Sequence, residues 1–423
     1  MRIVTAAEAV AHIRSGDLVH VHGACATPGV LLDALVARAP ELTDVRVSHL
    51  HTEGPAPHLA PAMAGHFRHL ALFIGANARA AVNEGRADYI PAFLSDIPAM
   101  FASGALPVDT VFLNTSRPDA HGFVSLGTSV DIMPGAIRAA RHVVAQLNAA
   151  MPRTLGASFV HIDDVESGVE VDIAPHASPI PVIGDVERRI GGHVAEMVPD
   201  RAVLQMGIGA IPGAVALELR HKQDLGIHTE VFTDAVVDLV EAGAVTGTHE
   251  DLDRGKIVSA FLMGTERLWR FVHDNPLVEM RPVDYTNDTA VIRRLRRMTS
   301  INSAIEMDLT GQVVADSIGH RFYSGIGGQM DFVRGASLAP DGRAIICLPA
   351  TALSGSVSRI VAELTPGSGV VTTRGHVHTV VTEFGVAELH GRSVGERARA
   401  LIAVAHPDFR DELRSAAVRT HLM

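Results

Sequence analysis

Short apolar runs alternate along this chain with stretches of helical spacing. "DLVHVHG" (17–23) and "RAVLQMG" (201–207) each set a β-prone run before a glycine. Each then leads through a turn and a proline into an amphipathic pattern, "GVLLDAL" (29–35) or "GAVALEL" (213–219), which is how a strand–turn–helix unit reads. Further β-prone runs, "RHVVAQLN" (141–148), "GIHTEVF" (226–232) and "RAIICLP" (343–349), are separated by helical patterns. Strands alternating with helices predict a largely parallel sheet covered on both faces, with ligands beyond the carboxyl ends of the strands.

The pattern also repeats. Without a gap, "LVHVHGACATPGVLLDAL" (18–35) lies over "AVLQMGIGAIPGAVALEL" (202–219), matching Val19 with Val203, Gly23 with Gly207, Ala26 with Ala210, Pro28–Gly29 with Pro212–Gly213 and Leu35 with Leu219. His-Thr-Glu follows in both copies, at 51–53 and 228–230. A third pair, "DAHGFVSLG" (119–127) and "DLTGQVVADSIG" (308–319), shares an Asp and a Gly three residues later. Three landmarks in one order point to a duplicated α/β unit. With 423 residues, beyond the roughly 250–300 at which a single core stops growing, the expected fold is two tandem, related open α/β/α domains with largely parallel sheets. The expected domains are 1–187 and 188–423, joined through "PHASPIPVIGDVERRIGG" (175–192).

Composition narrows the function. A content of 47% hydrophobic and 20% charged residues is that of a globular protein. The net charge of −11 argues against a general binder of phosphate backbones, so no nucleic-acid partner is expected. The basic run "IRRLRRM" (292–298) reads as a solvated helix face. No apolar run reaches the roughly 20 residues of a membrane span and the first residues do not resemble a signal peptide, which predicts a cytoplasmic protein without a membrane partner. Cys25 and Cys347 are expected to be reduced and buried. The only lysines, Lys222 and Lys256, fall in no Walker-type phosphate loop and make a Schiff-base mechanism unexpected.

Several features carry candidate chemistry. The turn Gly207-Ile208-Gly209 lets a ligand approach the backbone and aims amides at an anion, although a lone GxG also makes an ordinary tight turn. Gly325, Gly327 and Gly328 crowd "YSGIGGQMDF" (323–332), which reads either as a ligand loop or as a hairpin. The His-x-His pairs His20/His22 and His376/His378 have the spacing of some metal-dependent hydrolases, but Leu204 and Met206 are the repeat partners of the first pair and no aspartate completes a ligand set. "LSGSVSR" (353–359) lacks the spacing of a serine nucleophile elbow and reads as a capped loop. Glu230, after a β-prone run, is either a surface carboxylate or a nucleophile held and aimed by its neighbours.

"GIGAIPGAV", "GIHTEVFTDAVVDLVEAGAVTG", "FLMGTERLWRFVHDNP", "VDYTND", "INSAIEMDLTGQVVADSIG", "SGIGGQMDFVRGAS" and "TTRGHVHTVVTEFGVAELHGRS" together cover most of 200–410. On these stretches the chain resembles the acetyl-CoA hydrolase/transferase family of class I CoA transferases, in its 4-hydroxybutyrate and butyrate:acetate branch. "HGACATPGVLLDAL", "LHTEGPAP" and "DAHGFVSLGTSVD" extend the resemblance more loosely to the first half. The resemblance implies an active site in the cleft between the two domains, with Glu230 as the nucleophile and Asn287 as a polar group near the reacting thioester. It implies coenzyme A contacts from Gln205, Met206, Gly207, Ile208 and Gly209, from Asn302, and from Gly327 and Gly328. It also implies coenzyme A as substrate with no permanently bound cofactor and no metal, short-chain acyl-CoA and carboxylic acid as small-molecule partners, ping-pong exchange through a glutamyl-CoA thioester, and a homo-oligomer. Arg374 stands where some relatives carry a second active-site carboxylate, and Thr27 or Cys25 matches a helper hydroxyl only loosely. The alternatives are an acyl-CoA hydrolase on the same scaffold, a metal-dependent hydrolase built on the His-x-His pairs, and a non-catalytic coenzyme A binder.

Overall fold

A computed structural model describes residues 1–423. The chain forms two compact units, one of Met1–Pro179 with Val258–Thr286, the other of Ile180–Ile257 with Asn287–Met423. This differs from a single cut at 187/188. The segment after Ile257 joins the first unit through backbone hydrogen bonds: the Val130 and Asp131 amides donate to Ala260 O (2.9 and 3.0 Å), Leu262 N–H to Thr128 O (2.8 Å), and Ala157 N–H to Met280 O (2.7 Å). These pairs join residues more than a hundred positions apart, so no local pattern announces them. The expected connection over 175–192 is also shorter than its composition suggests. Helix Asp185–Met197 starts inside it, with the Glu187 carboxylate accepting the Gly184 N–H at 3.0 Å and Ile190, Val194 and Ala195 facing inward.

The first unit is built on an eight-stranded sheet. Its order is Arg2–Ile3, Ser167–Val171, His142–Asn148, Thr110–Thr115, Leu18–Val21, Val45–His49, Phe67–Ala71, Ala87–Tyr89, and every pairing is parallel. In the second unit Gly226–Phe232, Val203–Met206, Met298–Ser303, Arg343–Cys347 and Thr379–Thr382 lie side by side in that order and pair in parallel; Gly385–Glu388 closes the edge antiparallel. The fold class is therefore α/β with largely parallel sheets. In both units the strand that opens the repeat is central, the strand or strands that follow it directly lie on one side and those further along the chain on the other. Such a reversal of strand order opens a crevice at the carboxyl ends of the strands.

The third repeat landmark keeps its geometry atom by atom. Asp119 Oδ1 accepts the amides of His121 and Phe123 (2.8 and 3.0 Å), and Asp308 Oδ1 accepts those of Thr310 and Gln312 (2.9 and 3.0 Å). The glycine three residues on is left-handed in both, φ 82° at Gly122 and 92° at Gly311, a conformation that a side chain would strain. The Asp side chain replaces backbone partners through the turn, which is why Asp and Gly recur together.

Each sheet is covered by its own apolar core. Val19, Val21, Leu31, Leu35, Val47 and Phe112 pack together in the first unit; Ile292, Phe332, Val333, Ile346, Leu401 and Ile402 do so in the second. Each such side chain contributes roughly 1.5–3 kcal/mol by leaving water. The basic run 292–298 departs from expectation. Helix Thr289–Ile292 has only four residues and Met298 already begins a strand, so the chain must reverse within five residues, with Arg297 left-handed at φ 58°. Arg296 pairs with Asp341 at 2.7 Å and Arg297 donates to Asp200 O at 3.1 Å, so these arginines secure a turn. No helix is long and apolar enough to cross a membrane.

Candidate active site

Strand Gly226–Phe232 carries the second His-Thr-Glu. Its start is held by Glu250, whose Oε1 accepts the Ile227 N–H at 2.9 Å. Position 226 has to be glycine, because a Cβ there would lie 2.6 Å from Glu250 Cγ. Burial pushes the Glu250 carboxyl up to about 9, against the lowering effect of the Ile227 amide, so it is a neutral acid at pH 7. One residue from the nucleophile candidate, Thr229 Oγ1 lies within donating reach of Met206 O (3.2 Å) and Val231 O (3.1 Å). This hydroxyl ties the strand to the end of its neighbour Val203–Met206.

Glu230 retains some solvent access in crowded surroundings. Its Oε2 accepts a hydrogen bond from Asn287 Nδ2 at 2.9 Å, and the same nitrogen reaches Asp331 Oδ2 at 3.3 Å. Asn287 is fully buried and Asp331 nearly so. An amide nitrogen with two protons, set between two carboxylates, can serve both at once. Burial raises the Glu230 carboxyl to about 7; the Asn287 hydrogen bond opposes that and the nearby Asp331 charge adds to it. A carboxyl poised near neutrality, reachable yet gripped by one amide, is suited to act as a nucleophile.

The glycine loop 325–328 closes on the same group. A Cβ at Gly328 would overlap both Glu230 Oε2 and Asn287 Nδ2 and lie 3.0 Å from Glu230 Cδ. Gly328 immediately precedes helix Gln329–Leu338, which carries Asp331 in its first turn. Sequence reading did not find Asp331; its one signal is its place three residues after Gly328.

The expected coenzyme A contacts fall into two groups. Gln205 and Asn302 clasp each other from adjacent strands, Gln205 Nε2 donating to Asn302 Oδ1 at 3.2 Å and Asn302 Nδ2 to Gln205 Oε1 at 3.0 Å. Met206 is buried and Ile208 is 51% exposed, so the backbone turns outward at this point. Gly209 has φ 109° and opens helix Ala210–Glu218. Gly207 N–H donates to Ile301 O at 3.3 Å, however, which leaves the amides of Ile208 and Gly209 as the donors of this turn. Gly327, left-handed at φ 59°, lets the second loop bend to bring Gly328 against Glu230.

Other sequence candidates lie in different surroundings. Both ring nitrogens of His22 are spent, Nε2 on Ser129 O (2.5 Å) and Nδ1 on the Asn114 amide (3.2 Å); His20 Nδ1 bonds Ser48 Oγ at 2.9 Å. These are core histidines, as their repeat partners suggest. His376 bonds Thr373 and His378 bonds His390, a pairing that assembles no acid-bearing ligand set. Arg374 is exposed and its carbonyl accepts from Arg397 at 2.6 Å. Glu53 is half-buried and its carboxyl is raised by burial; its amide reaches Ala24 O (3.3 Å) and Thr27 Oγ1 (3.2 Å). Thr27 thus positions the first-unit glutamate. Cys25 and Cys347 are buried free thiols.

Comparison with known proteins bears on the family and the fold. The acetyl-CoA hydrolase/transferase N-terminal domain matches residues 1–183 and the C-terminal domain of the same description matches 264–417. A 4-hydroxybutyrate coenzyme A transferase from Clostridium kluyveri is 45% identical over 97% of this chain and 96% of its own length. A succinyl-CoA:acetate/propanoyl-CoA:succinate CoA transferase from Fasciola hepatica is also 45% identical, over 97% of this chain and 86% of its own. Among solved structures, RipA from Yersinia pestis superimposes with a TM-score of 0.94 at 36% identity, covering 100% of this chain and 98% of that one.

Proposed function

The chain belongs to the acetyl-CoA hydrolase/transferase family, and from that premise we propose that it is an acyl-CoA:carboxylate CoA-transferase of short-chain acids in which Glu230 is the nucleophile. The observation that carries this reading is the Glu230 carboxyl, raised to about 7 by burial, held by Asn287 and pressed by the loop at Gly328. Ionised Glu230 attacks the acyl-CoA carbonyl and the tetrahedral intermediate expels CoA thiolate, leaving a glutamyl-acyl anhydride. The thiolate attacks the glutamyl carbonyl and releases the first acid, giving a glutamyl-CoA thioester. A second carboxylate attacks that thioester and frees the thiolate again. The thiolate then takes the new acyl group and returns Glu230 as a carboxylate. Kinetics of this form are ping-pong.

Each tetrahedral intermediate places negative charge on a former carbonyl oxygen. The amides of Ile208 and Gly209, with that of Gly328, are the donors available to it, and one such donor contributes about 3–4 kcal/mol in comparable sites. Asn287 keeps Glu230 aimed and is released toward the developing oxyanion once the carboxylate has been consumed. Coenzyme A is a substrate in this scheme and no permanently bound cofactor is required. Two relatives of equal identity act on different acids, and a methylene or hydroxyl in the acyl pocket shifts preference by only about 1–3 kcal/mol. The acid is therefore assigned only as short-chain.

One observation favours a second reading, an acyl-CoA hydrolase: Glu230 keeps some solvent access, and water reaching the thioester would hydrolyse it. One experiment addresses both. After incubation with acyl-CoA and borohydride, the peptide containing Glu230 should show the mass of the reduced glutamyl residue, and exchange into added acetate should outpace hydrolysis. Reduction mapped to Glu53, Glu306 or Glu383 would overturn the assignment of Glu230. Hydrolysis outpacing exchange at saturating acetate would favour the hydrolase.

A further inference from the structure

The first unit contains a group of side chains for which the transferase chemistry has no use. His49 ends strand Val45–His49, His69 lies in strand Phe67–Ala71, and His58 lies in the turn Pro57–Leu59. The two strands pair in parallel with Val47 opposite His69 and His49 opposite Ala71. His49 and His69 therefore stand on the same face of the sheet, one step along from each other. The turn that follows the first His-Thr-Glu folds His58 back against them. All three are buried, at 0%, 3% and 1% exposure for His49, His58 and His69.

Three imidazoles in one dry place have too few partners. His58 Nε2 and His69 Nδ1 approach to 2.9 Å, while both nitrogens of His49, His58 Nδ1 and His69 Nε2 have no hydrogen-bond partner. Three neutral rings bring three N–H donors and this contact can accommodate one. Native interiors seldom leave buried polar atoms in that condition without water or an ion. One nitrogen from each ring lies within 4.8 Å of those of the other two. Tetrahedral ligands about 2.0–2.1 Å from zinc stand roughly 3.3 Å apart, so small ring rotations close the set.

We propose that His49, His58 and His69 form a three-imidazole binding site for a first-row transition-metal dication, zinc being the best match, which fastens the segment after His-Thr-Glu to the sheet. The donor set selects the ion: nitrogen ligands without carboxylate or thiolate suit zinc, copper or nickel and disfavour magnesium and calcium. Burial holds the rings in the neutral state that ligation needs, and no carboxylate acts on any of them. The charge left by three neutral ligands is met by a water in the fourth position, which zinc ionises near neutral pH. The site lies in the unit that lacks Glu230, and the role proposed for it is to order structure.

The test uses untagged full-length protein, stripped with a chelator, reloaded with zinc chloride and desalted. Zinc per chain is measured by plasma mass spectrometry beside the variants His58→Gln and His69→Gln, with His378→Gln controlling for histidines outside the cluster. The expected result is one zinc per chain in wild type and in His378→Gln, its loss in both buried-site variants, and a melting temperature about 2 °C or more higher with zinc. Zinc K-edge absorption of the loaded wild type should show three imidazole nitrogens, which keeps the test valid if the variants fail to fold. No retained zinc in wild type, the same zinc in the buried-site variants, or a first shell with fewer than three imidazoles would each overturn the site.

Discussion

Replacing Gly328 by alanine tests whether Glu230 is as tightly placed as its neighbours indicate. The backbone there has φ −96° and ψ 6°, open to any residue, so the substitution acts through its methyl group alone. That methyl would overlap Glu230 Oε2 and Asn287 Nδ2 and sit 3.0 Å from Glu230 Cδ. Ordinary contact is restored only if the carboxylate withdraws by on the order of 1 Å, which also breaks its hydrogen bond to Asn287. A misplacement of that size lowers reaction rates by about a hundredfold, and a hydrogen bond to a charged group contributes roughly 1.5–3 kcal/mol. Because the two effects overlap, the expected loss is about 3–4 kcal/mol of transition-state stabilisation, or roughly 10²–10³ in kcat/KM. Stability should change little, since alanine for glycine just before a helix costs no more than about 1 kcal/mol. The assay is acyl-CoA:acetate exchange followed by thioester absorbance or chromatography, paired with a melting curve. Gly192→Ala is the control: it lies within helix Asp185–Met197 with nothing within 4 Å of an added Cβ, and should leave exchange unchanged. A Gly328→Ala enzyme that exchanges within threefold of wild type at unchanged melting temperature would refute the placement of the nucleophile.

Other consequences concern titration and reactivity. In the proposed mechanism only ionised Glu230 attacks, and its carboxyl is raised to about 7, so the single-turnover rate of thioester formation should rise with pH up to about 7 and level off above it. A rate already flat at pH 5 would contradict that value. Glu250 is raised from 4.5 to about 9: between those values the native state holds a proton that the unfolded chain has released, so its contribution to stability is present in acid and is lost as pH rises through about 9. Glu250→Gln keeps the shape and neutrality, so its unfolding free energy should lie within about 1 kcal/mol of wild type near pH 4.5 and should decline less steeply than wild type from there toward pH 9 in denaturant titrations. Burial raises the Cys347 thiol to about 12, and both cysteines are buried; a disulfide reagent should titrate no thiol rapidly in native protein and two after unfolding.

What could be read from the sequence is whatever the chain writes locally. Parallel strands covered on both faces show as apolar runs, so Val203–Met206, Gly226–Phe232, His142–Asn148 and Arg343–Cys347 were visible, as was the repeat that orders them. Glu230, Asn287 and Gly328 were nominated by resemblance; that one amide and one glycine grip the carboxylate is a fact of three-dimensional contact. The return of Val258–Thr286 to the first unit rests on long-range hydrogen bonds that leave no periodic trace. The arginine run 292–298 misled because charge spacing is blind to the strand that begins at Met298. Gly207 shows why a GxG pattern cannot count oxyanion donors: its amide is already committed to Ile301. His49, His58 and His69 fit no spacing rule, since strand register and a returning turn bring them together.

The two His-Thr-Glu copies began as equivalents and the structure explains how they diverged. In the second unit the strand continues through all three residues to Phe232, so the backbone of Glu230 is fixed by the sheet and its carboxylate by Asn287. In the first unit the strand ends at His49, Thr52 forms only an isolated bridge to Ala24, and Asn77 bonds Thr52 O and Gly54 O. Polar groups there secure the backbone around Glu53, while no side-chain amide holds its carboxylate. The tripeptide is present in both units, and a side-chain amide holds the glutamate carboxylate in the second. Glu230→Gln should therefore abolish both exchange and borohydride-trapped thioester. Glu53→Gln should still form the thioester and lose no more than about tenfold in exchange, roughly 1.4 kcal/mol. Loss of thioester formation in Glu53→Gln as deep as in Glu230→Gln, with both proteins folded, would show that holding by Asn287 is not what separates the two glutamates.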